Sequence, residues 1–121
     1  MTEYQFVQLQ VVNRVGWLNY NKPPINAFHW QMVDEVHRGL KQYLDDAEVR
    51  VIVLGSALER FFSAGADIAT FEGIGEAGMR DWVKMVHGVA RTLRHSDKPL
   101  LAAINGTAVG GGLEMTLHCD L

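Results

Sequence analysis

The sequence has one cysteine and three prolines, and it has no apolar run that approaches the length of a membrane span. A single thiol, Cys119, cannot form an internal disulfide, so the fold must rest on packing alone. It also points to a reducing, cytoplasmic setting. Eleven Lys and Arg stand against 14 Asp and Glu, a net charge of −3. That balance lacks the basic footprint of a nucleic-acid binder. The first residues, MTEYQFVQLQVV, lack a basic stretch followed by a long apolar one, so no signal peptide is expected. No internal repeat or low-complexity segment is present. Of the five histidines, His29, His37, His87, His95 and His118, none makes an i, i+4 metal pair, and no metal is expected. His118-Cys119-Asp120 are adjacent residues, which on a helix do not face one site.

What is present is ordinary globular composition, 48% hydrophobic and 21% charged over 121 residues. This is one domain or part of one, able to bury about two-thirds of its unfolded surface. Phe6–Val12 and Val15–Tyr20 are β-rich runs around the polar break Asn13-Arg14, which predicts a hairpin. Lys22-Pro23-Pro24 forces a loop, and Asn26 is a candidate cap for a helix beginning near Phe28. Val33, Val36, Leu40, Tyr43 and Leu44 recur at helical spacing, with the polar Asp34, Glu35, Arg38 and Lys41 between them. Asp45-Asp46 ends that helix with the wrong charge for its dipole. Val49–Leu54 reads as a strand buried on both faces. Gly73, Gly75 and Gly78 predict a mobile loop over residues 71–78. Met79, Trp82, Val83, Val86, Val89, Ala90 and Leu93 form the stripe of a second long helix, stopped by Asp97-Lys98-Pro99. The order ββαβαβα argues an α/β fold with parallel strands.

Leu100–Asp120 carries the chemistry-bearing pattern. The apolar run Leu100–Ile104 suits a buried strand, and Asn105-Gly106 breaks it. Gly110-Gly111-Gly112 then opens an apolar segment that contains one carboxylate, Glu114. Strand, glycine turn and helix start leave backbone N–H groups free, and glycine lets a ligand approach them. A phosphate loop needs Lys and Ser or Thr after its last glycine, but Leu113-Glu114 follow here. A dinucleotide fingerprint counted from Gly110 would need a glycine at Met115. Ser63 lies outside a G-x-S-x-G elbow, which argues against a serine hydrolase. A tight turn with close packing is the plainer reading of the glycines, and a solvated helix position that of Glu114. Gly112, Leu113 and Met115 beside Glu114 are small or apolar and leave a buried setting open as well.

Two motifs decide between these readings. Phe62-Ser63-Ala64-Gly65-Ala66-Asp67-Ile68 and Asn105-Gly106-x-Ala108-x-Gly110-Gly111-Gly112-Leu113-Glu114, in that order and separated by a helix, resemble the crotonase superfamily of enoyl-CoA hydratases and isomerases. Lys22-Pro23-Pro24-Ile25-Asn26-Ala27 and Lys98–Ile104 are similar to the family's early N-A segment and to its usual lead-in strand. The resemblance runs from about Phe6 to Leu121.

The resemblance implies an incomplete spiral of ββα units, with residues 1–121 the N-terminal part of a single domain. The stop at His118-Cys119-Asp120-Leu121 fits a chain that continues. It implies an acyl-CoA thioester as substrate, with CoA part of that substrate and no separate cofactor. It places two backbone N–H donors, an oxyanion hole, at Ala66 and Gly111, and a first glutamate at Glu114. Substrate contacts fall on Ala27, Ala64, Ala66, Asp67, Ile68, Ala69 and Gly111. The family's second glutamate, and the C-terminal helices that cover the site and build a homotrimer or hexamer, would lie past Leu121. Many members carry Lys where Ala69 stands, so one phosphate contact is absent. Hydration of the 2,3 double bond is the leading expectation. Double-bond isomerisation, a non-catalytic acyl-CoA or protein binder, and an inactive fragment are the alternatives. No nucleic acid or membrane is expected as partner.

Overall fold

The computed structural model describes residues 3–121. The α/β class holds. Strand β1 (Val7–Val12) turns back into β2 (Val15–Tyr20) through Asn13 and Arg14. Both turn residues have positive φ, 50° and 68°, as a two-residue type I′ hairpin requires. A short strand β3 (Ala27–Phe28) leads to helix α1 (Trp30–Asp45). Strands β4 (Val51–Ser56), β5 (Phe61–Ser63) and β6 (Gly65–Ala66) follow, then a 3₁₀ turn at Ile68–Phe71. Helix α2 (Gly75–Arg94), strands β7 (Leu100–Ala102) and β8 (Thr107–Ala108), and helix α3 (Gly111–Thr116) complete the chain.

The main sheet has the order β1-β2-β4-β7, antiparallel at β1 and parallel elsewhere. Each crossover adds one strand to this sheet. The short strands beside it form two smaller parallel pairs, β3 with β6 and β5 with β8. The chain therefore winds as a spiral. Asp120 and Leu121 lie along the outer edge of β7, with the Ala102 N–H donating to the Leu121 carbonyl at 2.9 Å. The core sits between sheet and helices. Leu18, Tyr20, Val36, Leu40, Ile52, Leu54 and Phe62 are fully buried there.

Four local expectations need correction. Helix α1 begins at Trp30, and its cap is His29, whose Nδ1 accepts from the Met32 N–H at 3.2 Å. Phe28 belongs to β3, and Asn26 stands in the left-handed region at φ 53° with its side chain used elsewhere. The predicted loop at 71–78 is mostly ordered secondary structure. Phe71 closes the 3₁₀ turn and α2 already begins at Gly75, with Phe71 packed edge-on to Trp82 at 5.5 Å. Of the α2 stripe only Trp82, Val89 and Leu93 are fully buried, while Met79 and Val83 are exposed. Glu35, counted with the polar face of α1, is buried. Its Oε1 accepts from the Gln5 and Phe6 N–H groups, each at 2.7 Å, so it ties the N-terminal segment to the helix. The poor charge at the end of α1 is offset from a distance. Lys98 Nζ donates to the Tyr43 and Asp46 carbonyls at 2.6 and 2.9 Å, placing a cation where the dipole favours one.

Candidate active site

The site is built on two backbone turns that meet. The first runs from β5 through Ala64 into β6. Gly65 has φ 87°, open to glycine but costly for other residues. A side-chain carbon there would lie 3.0 Å from both the Gly111 nitrogen and the Val109 carbonyl oxygen, so β6 touches the start of α3 directly. Ala66 stands opposite Phe28 in the parallel β3–β6 pair. The Asp67 N–H donates to the Phe28 carbonyl at 2.8 Å, and alternation along the strand turns the Ala66 N–H away from β3. The second turn is Val109-Gly110, with Gly111 opening α3 as expected. The N–H groups that open a helix have no partner within it, and that of Gly111 is one of these. Val109 is held by its own N–H, which donates to the Ser63 carbonyl at 3.1 Å.

Ala66, Gly111 and Glu114 line one cavity of 770 Å³. Phe28, Trp82, Val86 and Met115 supply apolar wall, and His87, Arg91, Arg94, His95 and His118 give another part of it a basic character. Glu114 is exposed on this wall, the plainer of the two settings open to it. Its neighbours Leu113 and Leu117 are also exposed. The remaining predicted contacts fall outside the cavity wall. Ala27 is buried in β3, Ala64 lies in the turn before β6, and Ile68 and Ala69 are exposed. The carboxylate of Asp67 is already engaged. One oxygen accepts from Lys22 Nζ at 3.3 Å and the other from the Ala69 N–H at 3.1 Å, capping the 3₁₀ turn. Cys119 packs against the core, and burial pushes its thiol up to about 11, so it is an inert packed thiol.

Sequence reading missed the groups that hold the first turn. Asn26 is fully buried. Its Nδ2 donates to Ser56 Oγ and to the Phe62 carbonyl, both at 2.9 Å, and its Oδ1 accepts from the Lys22 N–H at 2.7 Å. Its own carbonyl accepts from Ser63 Oγ at 2.8 Å. The basic wall was missed as well. His87, Arg91 and His95 recur every four residues on α2, a spacing that was readable as one helix face.

The chain is similar in sequence and fold to proteins of one family. The family described as enoyl-CoA hydratase/isomerase matches residues 11–121. The short-chain-enoyl-CoA hydratase of Clostridium acetobutylicum is 32% identical over 120 residues, covering 98% of this chain and 46% of its own. Human enoyl-CoA hydratase domain-containing protein 2, mitochondrial, is 36% identical over 102 residues, covering 84% of this chain and 35% of its own. The crystal structure of an enoyl-CoA hydratase from Bacillus anthracis superposes with a TM-score of 0.90 at 31% identity, over 97% of this chain and 46% of its own. The chain thus spans about half the length of the first curated relatives it matches. The spiral described above is the corresponding part of the crotonase fold. With the family pattern covering nearly its whole length, the chain belongs to the enoyl-CoA hydratase/isomerase family.

Proposed function

We propose that the complete protein adds water across the 2,3 double bond of an enoyl-CoA thioester. The observation that carries this reading is the meeting of Ala66, Gly111 and Glu114 on one cavity wall. The thioester oxygen would sit against the Ala66 and Gly111 N–H groups. Addition of water at C3 pushes electrons through C2 to that oxygen, and the resulting enolate is what two preorganised donors stabilise. Losing one such donor costs about 3 kcal/mol of barrier. Glu114 would take a proton from the water or return one to C2, in concert with an acid beyond Leu121. The segment Ala64–Ala69 would receive the CoA moiety, with Ala27 beneath it. Ala64, Gly65, Ala66 and Ala69 are small there and leave room for a bulky ligand. A homotrimer or hexamer and a cytoplasmic setting complete the proposal. No helix among the described residues is long and apolar enough to cross a membrane.

One observation favours the isomerase as a second reading. Glu114 is the sole carboxylate on the cavity wall among the described residues. Moving a double bond needs one carboxylate to carry a proton from one carbon to another. The test is Glu114→Gln in the complete protein, assayed with 2-enoyl-CoA and 3-enoyl-CoA and with product analysis. The glutamine keeps the shape but transfers no proton, so turnover should fall roughly 10²-fold or more with acyl-CoA affinity nearly unchanged. A 3-hydroxyacyl product identifies the hydratase and a shifted double bond the isomerase. Equal turnover in parent and variant removes Glu114 from the chemistry.

A further inference from the structure

Ser63 is buried, polar and unused by the mechanism above, yet it touches both turns that carry the proposed donors. Its hydroxyl donates to the Asn26 carbonyl at 2.8 Å and accepts from the Gly65 N–H at 3.1 Å, one residue before Ala66. Its carbonyl accepts from the Val109 N–H at 3.1 Å, two residues before Gly111. Its Cβ faces Gly112 so closely that a side-chain carbon on that glycine would come within 2.7 Å of it.

We propose that Ser63 is a positioning residue that sets the spacing between the Ala66 and Gly111 N–H groups, an inference that rests on the function proposed above. The reason is geometric. Gly65 is in the left-handed region, and its N–H must be held by something for Ala66 to keep its direction. The Ser63 hydroxyl is that acceptor, and the Asn26 carbonyl fixes the hydroxyl in turn. The same residue's main chain holds the turn before α3. One buried serine therefore gives both donors a common reference. Two donors serve one oxygen only at the right separation, and a misplacement of about 1 Å can cost 10²-fold in rate.

The experiment compares Ser63→Ala with Ser56→Ala in the complete protein. Ser56 is a fair control. Its hydroxyl makes a similar set of bonds, to Asn26 Nδ2, the Phe61 carbonyl and the Leu58 N–H, but it reaches the first turn only through these and bonds neither Gly65 nor Val109. Three quantities are read per folded molecule, with folding followed by circular dichroism. They are kcat and KM for a short enoyl-CoA, the affinity for a 3-ketoacyl-CoA bound as its enolate, and the affinity for CoA alone. Ser63→Ala should lower kcat and enolate affinity by roughly 10- to 100-fold, with KM and CoA affinity within about two-fold. Ser56→Ala should lose stability and leave those ratios alone. Ser63→Cys, similar in size and a weaker hydrogen-bonder, should fall between parent and alanine, and it serves if Ser63→Ala does not fold.

An active parent with kcat and enolate affinity unchanged in both Ser63 variants overturns the positioning role while leaving the hydratase reading intact. Losses of equal size in Ser56→Ala overturn it too, because they mark general loosening. A parent that binds the enolate but turns over no substrate sinks the hydratase reading. Loss of that enolate preference in Ser63→Ala would then still support the positioning role.

Discussion

Replacing Gly65 with alanine should damage the protein in two separable ways. The first is conformational. Gly65 has φ 87°, and left-handed backbone costs a residue bearing Cβ about 1–2 kcal/mol. The second is crowding. The new methyl would lie 3.0 Å from the Gly111 nitrogen and from the Val109 carbonyl oxygen, both backbone atoms that cannot rotate aside. Forcing an extra methyl into a packed site costs about 1–3 kcal/mol. Gly65→Ala should therefore lose about 2–5 kcal/mol, a large part of a stability of about 5–15 kcal/mol.

Gly73 separates the two effects. It has φ 67°, and no heavy atom lies within 4 Å of the methyl it would gain. Gly73→Ala carries the backbone cost alone, about 1–2 kcal/mol. Urea unfolding of both variants, followed by circular dichroism, gives the difference directly. That difference is the cost of crowding a methyl between β6 and the start of α3. If the site is used as proposed, Gly65→Ala also pushes Gly111 away and lowers kcat, while Gly73→Ala does not. Equal destabilisation in the two variants would refute the claim that these turns touch.

Two further predictions concern the core and its pH response. Tyr20 is fully buried with no hydrogen-bond partner for its hydroxyl among the described residues, and burial drives its phenol far above the ordinary range. Tyr20→Phe should therefore stabilise the fold by about 1 kcal/mol, and a lowered urea midpoint would show the hydroxyl is satisfied. His37 bonds to Thr92 across the α1–α2 contact, and its pKa lies below 6.5, through burial first and Lys41 second, with Asp34 opposing. The unfolded chain then binds more protons, so stability is full above pH 6.5 and falls as pH drops below it. His37→Gln should flatten this decline in urea midpoints measured on either side of pH 6.5, and unchanged slopes would exclude His37 as its source.

The parts legible in the sequence share one property: their signals are local. The hairpin at Asn13-Arg14, the stops after both long helices and the turn before α3 each follow from residues within a few positions of one another. Asn26 shows where local reading ends. Asparagine favours helix caps and tolerates left-handed backbone, and residue types alone do not choose between the two. The structure does, with the Lys22 N–H taking the oxygen a cap would use and Ser56 and Phe62, some thirty residues away, taking the amide N–H groups. Glu35 is similar, because its burial answers the N–H groups of Gln5 and Phe6 far back in the chain, with Gln31 adding one bond from its own helix. The glycines at 75 and 78 predicted a loop by propensity. Packing of Trp82, Val89 and Leu93 farther along α2 secures the helix that contains them.

The same contrast explains why the candidate site was readable and its lining was not. The proposed oxyanion donors are main-chain groups, and no particular side chain is needed to supply them. What the site demands of the sequence is space: glycine at 65, where backbone nearly touches backbone, and at 112, where Ser63 leaves no room for a side chain. Such demands leave small residues at fixed spacing, and that is a motif. The walls of the cavity make no such demand. His87, Arg91 and His95 reach it by sharing one face of α2, and His118 by its place near the end of the chain, four residues after Glu114. Many side chains would fit these positions, so the spacing of His87, Arg91 and His95 marks a shared helix face but not a site wall. On the proposed function, activation of the thioester would therefore rest on the small patterned residues, and the wall would be free to differ without disturbing it.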